Sequence, residues 1–364
     1  MLSPKNNWLL QKIIPYWVIW LLGGLIYFLL EKGLLGDAIT YPATGNFYSP
    51  KASFITINLT GSFLGIVLGL VEETLFKNLL RKWPFLVKFV LKTVLYLIII
   101  FIILIVKSFI LNSALLSKPF SDPEVRQLAL VFLESFVFVS ILVYLSAVIG
   151  ISLFFSEMVD HIGLNVIISF FTGKYAKSIV EERIFMFLDM RSSTSIAEKL
   201  GHEKYYRLLN SYYEDMTDAI VSTAGEIYQY IGDEIVVSWK HSSGLKNNNC
   251  IKCFFRIKKK LEARSSYYME QFGVIPEFKA GLHWGPVSTG EVGVLKKEIL
   301  FTGDVLNTTA RIQGLCNELE TNLLISEELK SELALSNKYH VEDKGAYELR
   351  GRNQRVTLFA VSRS

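Results

Sequence analysis

Charge is scarce in this 364-residue chain: Asp, Glu, Lys and Arg make up 20% of it, while hydrophobic residues make up 51%. Soluble globular chains carry about 25% charged residues. The shortfall excludes a disordered or fibrous chain and argues against a wholly soluble one. Cysteine is rarer still. Cys250, Cys253 and Cys316 cannot build a disulfide framework, so the part that carries them belongs in a reducing compartment. A net charge of +4 is too small to argue for a nucleic-acid partner. Internal repeats and low-complexity segments are lacking, and a signal peptide is a poor reading of the first apolar stretch, since no small-residue cleavage site follows it and three further such stretches do.

What is present is unevenly spread, with the apolar excess lying before about residue 175. Four stretches are long enough to cross about 30 Å of hydrocarbon: Ile13 to Leu30, Phe54 to Val71, Val90 to Val106 and Leu128 to Phe155. Lys92 and Lys107 flank the third and are expected to snorkel to opposite interfaces. Glu72 and Glu73 close the second span and are assigned to the headgroup region, whereas Glu134 falls inside the fourth. The short basic connection Lys77, Arg81, Lys82, Lys88 predicts a cytoplasmic side. An even number of crossings then puts both termini there. The expected organisation is a four-helix transmembrane domain over 1–160, a linker over 161–183 and a cytosolic domain over 184–364.

The second part reads as an ordinary α/β sequence. Ile184 to Asp189 is a short apolar run ending in a carboxylate, as in a buried strand, and Ser193 to Thr223 has helical spacing. Glu226–Tyr230 and Glu234–Trp239 flank Gly232-Asp233, a hairpin signal. A basic helix over 249–272, strands over 277–283, 287–292 and 299–302, a helix from Asp304 to Leu315 and tail strands over 340–349 and 356–361 complete an α+β sandwich.

Two aspartates stand out. Asp189 ends a buried strand and Asp233 sits between two apolar arms. One such aspartate reads as a turn or helix cap. Two from neighbouring strands make a pair of hard oxygen ligands suited to a divalent ion on a polyphosphate. Ser192, Ser193 and Thr194 follow at the start of a helix, where backbone N–H groups favour phosphate. Asn307 and Arg311 share a helix face, and the arginine is either a surface hydrogen-bonding group or a stabiliser of phosphoryl charge. Cys250-Ile251-Lys252-Cys253 has redox or zinc spacing but no second pair, and the basic run Arg256, Lys258, Lys259, Lys260 reads as a solvated helix face.

Phe187-Leu188-Asp189-Met190-Arg191-Ser192-Ser193-Thr194, Ile231-Gly232-Asp233-Glu234, Ala280-Gly281-Leu282-His283-Trp284-Gly285 and Gly303 to Arg311 resemble, in this order, the class III nucleotidyl cyclase catalytic domain. The resemblance covers Ile184 to Val361 and implies a ferredoxin-like α+β fold and a homodimer with active sites at its interface. It implies that Asp189 and Asp233, with the Met190 carbonyl, hold two Mg2+ or Mn2+ ions. Asn307 would orient the ribose, Arg311 of the partner subunit would stabilise the α-phosphoryl group, and Arg352 would clamp the triphosphate. The reaction implied is conversion of a nucleoside triphosphate, ATP by family frequency, to the 3′,5′-cyclic nucleotide and pyrophosphate. At the two base-reading positions this chain carries Gln229, which matches neither the adenylate nor the guanylate pattern, and Leu300, which departs from the adenylate one. A guanylate cyclase, a diguanylate cyclase suggested by Gly232-Asp233-Glu234 and a silent nucleotide-binding module are the alternatives.

Overall fold

The computed structural model describes residues 4–42, 45, 47–76, 79–80, 83–349 and 355–363. The chain divides into a helical unit, Trp8–Ile167, and an α+β unit built from Ile168–Ser364.

The helical unit contains α1 (Pro4–Leu35), α2 (Pro50–Val71) with a π-helical turn Glu72–Phe76, α3 (Phe85–Leu116), α4 (Pro123–Glu134) and α5 (Phe136–Ile162). Among the described residues, four segments are long and apolar enough to cross a membrane: Trp8–Leu35, Pro50–Phe76, Phe85–Leu116 and Phe136–Ile162. The fourth is displaced from the expected 128–155. The Ser135 hydroxyl donates to the Phe132 carbonyl at the end of α4 and accepts from the Phe138 amide at the start of α5. It therefore breaks the run in two, and Glu134 ends the short amphipathic α4 instead of lying in a span.

Tyr16, Trp20, Leu64, Leu68, Tyr96, Ile100, Val148, Ile149 and Leu153 form the core of this unit. Gly61, Gly65 and Gly69 make a small-residue seam on α2. A Cβ on Gly65 would stand 2.9 Å from the Trp20 Cβ and 3.0 Å from the Trp17 Cα, so α1 and α2 meet backbone to backbone.

The buried charge is paired. Glu72 is 7% exposed, forms an ion pair with Lys92 and accepts a hydrogen bond from the Tyr96 hydroxyl at 2.8 Å. Glu72 and Lys92, expected to meet headgroups and interface, meet each other between α2 and α3. Lys88 pairs with Glu157 at 2.5 Å. The other cations of the basic connection, Lys77, Arg81 and Lys82, lie outside the described residues.

In the second unit α6 (Leu164–Thr172) leads into β1 (Ile179–Met190), which starts upstream of the expected Ile184. There follow α7 (Ser193–Ser222), β2 (Glu226–Ile231), β3 (Glu234–Lys240), α8 (His241–Leu245), α9 (Asn249–Ala263) and α10 (Ser265–Phe272). The chain continues through β4 (Phe278–Val292), β5 (Glu298–Thr302), α11 (Asp304–Gly314), β6 (Leu323–Ser326), α12 (Glu327–Glu332), β7 (Tyr339–Glu348) and β8 (Arg355–Arg363). The sheet order is β2-β3-β1-β4-β6-β8-β7, with β5 paired to β4.

Alternation along β1 explains the two faces. Ile184, Met186, Leu188 and Met190 pack into the core shared with α7, α9 and α10. Phe185 and Phe187 face the other way, with Val236, Val287, Phe301 and Val305 of α11. The expected helix over 249–272 is two helices, broken at Arg264, whose guanidinium leaves the line to pair with Asp215 at 2.8 Å. The two strands expected over 277–292 are one. Gly285 marks no turn: a Cβ there would be 2.7 Å from Val305, so the glycine admits α11.

Candidate active site

Register carries the two aspartates together. Leu188 pairs with Ile235 on the neighbouring β3, so the β2–β3 turn lies beside the end of β1. Ile231 pairs with Glu234, leaving Gly232-Asp233 as a two-residue turn with Gly232 at φ +64. Tyr213 of α7 braces that turn, its hydroxyl donating to the Gly232 carbonyl at 2.7 Å.

The two carboxyl groups meet. Burial, a hydrogen bond to Asp233 and the charge of Asp233 push the Asp189 pKa above the ordinary carboxylate range, against the pull of Lys279 and Gln313. Asp233 Oδ2 is buried with no hydrogen-bond partner among the described residues. Burial and the same two aspartates raise Glu234 to about 7. Like charges held this close in a half-buried place, with an oxygen left unsatisfied, have the chemistry that could hold a hard cation. No group of three or more His, Cys, Asp or Glu is assembled among the described residues, so a cation held here would need further oxygens from backbone, water or phosphate.

Two further residues touch Asp189. Lys279, its cross-strand partner on β4, places Nζ 3.5 Å from Oδ2. Gln313 of α11 donates from Nε2 to the same oxygen at 3.2 Å. Sequence reading passed over both. Lys279 carried a signal, a cation in the apolar strand opposite an aspartate; Gln313 carried none.

Ser192 adopts φ +54 and makes no side-chain cap, so the amides of the first turn of α7, at Ser193 and Thr194, follow directly from the strand that bears Asp189. Arg191 is tied away, donating to Asn317, Thr321 and Asn322 at 2.8–3.1 Å. On α11, Asn307 is exposed and Arg311 half-buried, and Arg311 Nη1 is buried without a partner among the described residues.

Gln229 is exposed on β2 beside a bulge, and Leu300 is 37% exposed on β5. Their neighbours touch: the Tyr228 and Phe301 rings lie 4.8 Å apart, and the Phe301 amide donates to the Tyr228 hydroxyl at 3.3 Å. Arg352 lies outside the described residues. Cys250 and Cys253 are fully buried in the α9 core, with burial pushing both thiols up to about 12, which leaves them unfit as zinc or redox ligands.

A profile of the family described as "Adenylate and Guanylate cyclase catalytic domain" matches residues 176–362, just over half of the chain. "Adenylate cyclase 2" of Rhizobium meliloti (strain 1021) is 34% identical over 223 residues, 61% of this chain and 61% of that protein. "Adenylate cyclase" of Anabaena cylindrica is 27% identical over 184 residues, 48% of this chain and 36% of that protein. The chain thus spans less than two thirds of these relatives. Among solved structures, the adenylyl cyclase CyaB from P. aeruginosa is similar with a TM-score of 0.46 and 22% identity, covering 52% of this chain and 97% of that one. The guanylyl cyclase Cya2 gives 0.45 and 21%, covering 50% and 93%. The extent of the profile match settles the family: the chain belongs to the adenylate and guanylate cyclase catalytic domain family.

Proposed function

We propose that this chain is a membrane-anchored nucleotidyl cyclase that converts ATP to 3′,5′-cyclic AMP and pyrophosphate. The observation that carries the reading is the meeting of Asp189 and Asp233 with Asp233 Oδ2 left unpartnered. Similarity to proteins named adenylate cyclase favours ATP. The four apolar helices supply the anchor, with both termini and the catalytic unit on the cytoplasmic side.

Asp189 and Asp233, with the Met190 carbonyl, would hold two Mg2+ or Mn2+ ions. Such ions lower the pKa of the ribose 3′-hydroxyl and neutralise charge on the reacting phosphates. The remaining work belongs to the chain. Lys279, beside Asp189, draws the anionic triphosphate toward the site, and the first-turn amides at Ser193 and Thr194 favour its oxygens. Asn307 orients the ribose so that O3′ stands in line with the α-phosphorus. Arg311 donates to the α-phosphoryl oxygens, where charge grows as the O3′–P bond forms and the bond to pyrophosphate breaks. Asn307 and Arg311 act from a second copy, so the working unit is a homodimer. Gln229, with a donor and an acceptor, reads the base.

Purified protein incubated with ATP, GTP, CTP and UTP plus Mg2+ or Mn2+, with products identified by mass, tests the proposal. Cyclic AMP and pyrophosphate from ATP are expected, and Asp233→Ala abolishes them. Cyclic GMP as the main product would reassign the base. Absence of pyrophosphate with every nucleotide, or full turnover in Asp233→Ala, would overturn the enzyme.

A further inference from the structure

We propose that Gln313 is the positioning residue of Asp189, and that through it one protomer ties the metal-binding half of one active site to the helix serving the other. This rests on the homodimeric cyclase reading above.

Three observations converge on Gln313. Its side chain is buried, at 6% exposure, yet polar, and its amide donates to Asp189 Oδ2. Lys279 approaches the same oxygen, so both contacts fall on one side of the carboxylate and Oδ1 takes neither. The backbone that carries Gln313 is pressed onto the sheet. A Cβ on Gly281 would stand 2.4 Å from the Gln313 amide nitrogen, 2.8 Å from its Cα and 2.9 Å from the Thr309 carbonyl oxygen. Gly281 pairs with Phe187, two residues before Asp189 on β1. The glycine thus sets the closeness of α11 to the strand, and that closeness lets a side chain of Gln length reach the carboxylate. A buried donor with its backbone fixed in this way holds a metal-binding carboxylate in one rotamer, as partners of metal ligands commonly do.

The same helix carries Asn307 and Arg311. Arg311 lies two residues before Gln313, on a different face of α11. In the proposed dimer, Asp189 of a protomer works in one site while Asn307 and Arg311 of that protomer work in the other. Gln313 is the side chain that joins the two halves within one chain.

The test uses full-length protein and Mn2+ as the probe, followed by electron paramagnetic resonance of the free ion without nucleotide. Gln313→Met keeps the shape and removes the donor. Its Mn2+ dissociation constant is expected to rise about tenfold, with kcat lowered, KM for nucleotide little changed and the rate recovered at high Mn2+. Should that variant not fold, Gln313→Asn, which keeps the amide but withdraws it from Asp189, carries the same expectation. Asp189→Asn is the reference: if it binds Mn2+ as the natural chain does, the metal reading itself fails. If Asp189→Asn weakens Mn2+ and the Gln313 variants do not, only the positioning role is overturned.

Mixed dimers separate positioning from packing. One chain carries Arg311→Ala and the other Asp189→Asn, leaving one intact composite site. Gln313→Met is expected to cost activity on the chain that supplies Asp189 and not on the chain that supplies Arg311. Equal cost on either chain would mean that the residue acts through α11 packing, which overturns the assignment.

Discussion

Glu72 of the helical unit and the Asp189–Asp233 pair of the α+β unit are answered in opposite ways. In the helical unit Glu72 meets a lysine and a tyrosine hydroxyl, so its charge is balanced within the fold. In the α+β unit Asp189 and Asp233 meet each other, and an oxygen of Asp233 meets nothing among the described residues. A buried carboxylate with its counter-charge supplied holds structure together. Lys279 reaches Asp189 but leaves Asp233 Oδ2 unanswered, and in the function proposed above a divalent ion on a polyphosphate would supply the missing charge. The contrast teaches where to look for chemistry: at the acid the fold leaves incompletely answered.

The largest expected effect concerns the arginine with the unpartnered nitrogen. Arg311→Ala should lower kcat by about 10²- to 10³-fold with the fold intact. Mixing it with Asp233→Ala chains should restore turnover, because one composite site is then whole. No recovery on mixing would place both residues in one chain's site.

The helical unit gives the mirror test. Glu72→Gln leaves Lys92 buried without a counter-charge and should destabilise the unit by about 3–5 kcal/mol, read as earlier thermal unfolding in detergent. Glu72→Gln with Lys92→Met should recover most of that loss. If the double variant is no better than the single one, the ion pair is not what holds these helices.

A smaller effect is expected at the α11 contact. Gly281→Ala places a methyl within 2.4 Å of the Gln313 nitrogen and should cost about 1–3 kcal/mol, measured by denaturant unfolding.

The smallest is a pH effect. Burial pushes Cys250, Cys253 and Cys316 up to about 12. Native protein at pH 8 should therefore resist thiol reagents and label only on unfolding. The unfolded chain releases these protons first, near the ordinary thiol value. Stability from this source is accordingly constant below about pH 8 and falls as pH rises beyond it.

Much of this was legible in the residues. A strand ending in Asp189 and a Gly232-Asp233 hairpin name themselves by local pattern, and the sheet order then places one beside the other. Runs of apolar residues announce the four long helices but not their ends. Ser135 looks like any polar residue in the fourth run, and only its two hydrogen bonds show that it closes one helix and opens the next. Glu72 and Lys92 carry no spacing signal, since they lie on different helices and meet only through packing. Two strands are expected over 277–283 and 287–292, yet β4 runs through Gly285 because the glycine admits α11. Local rules found the elements and the two acids; the residues that answer or orient those acids came from elsewhere in the chain.

The glycine seam on α2 has a mechanical outcome. Gly61 and Gly65 lie against the α1 backbone at Trp20, Trp17 and Tyr16, and at those positions α2 puts no side chain of its own between the helices. Close backbone contact of this kind couples α1 and α2 more tightly than side-chain packing alone would, and the shared seam runs toward the π-helical turn that begins at Glu72.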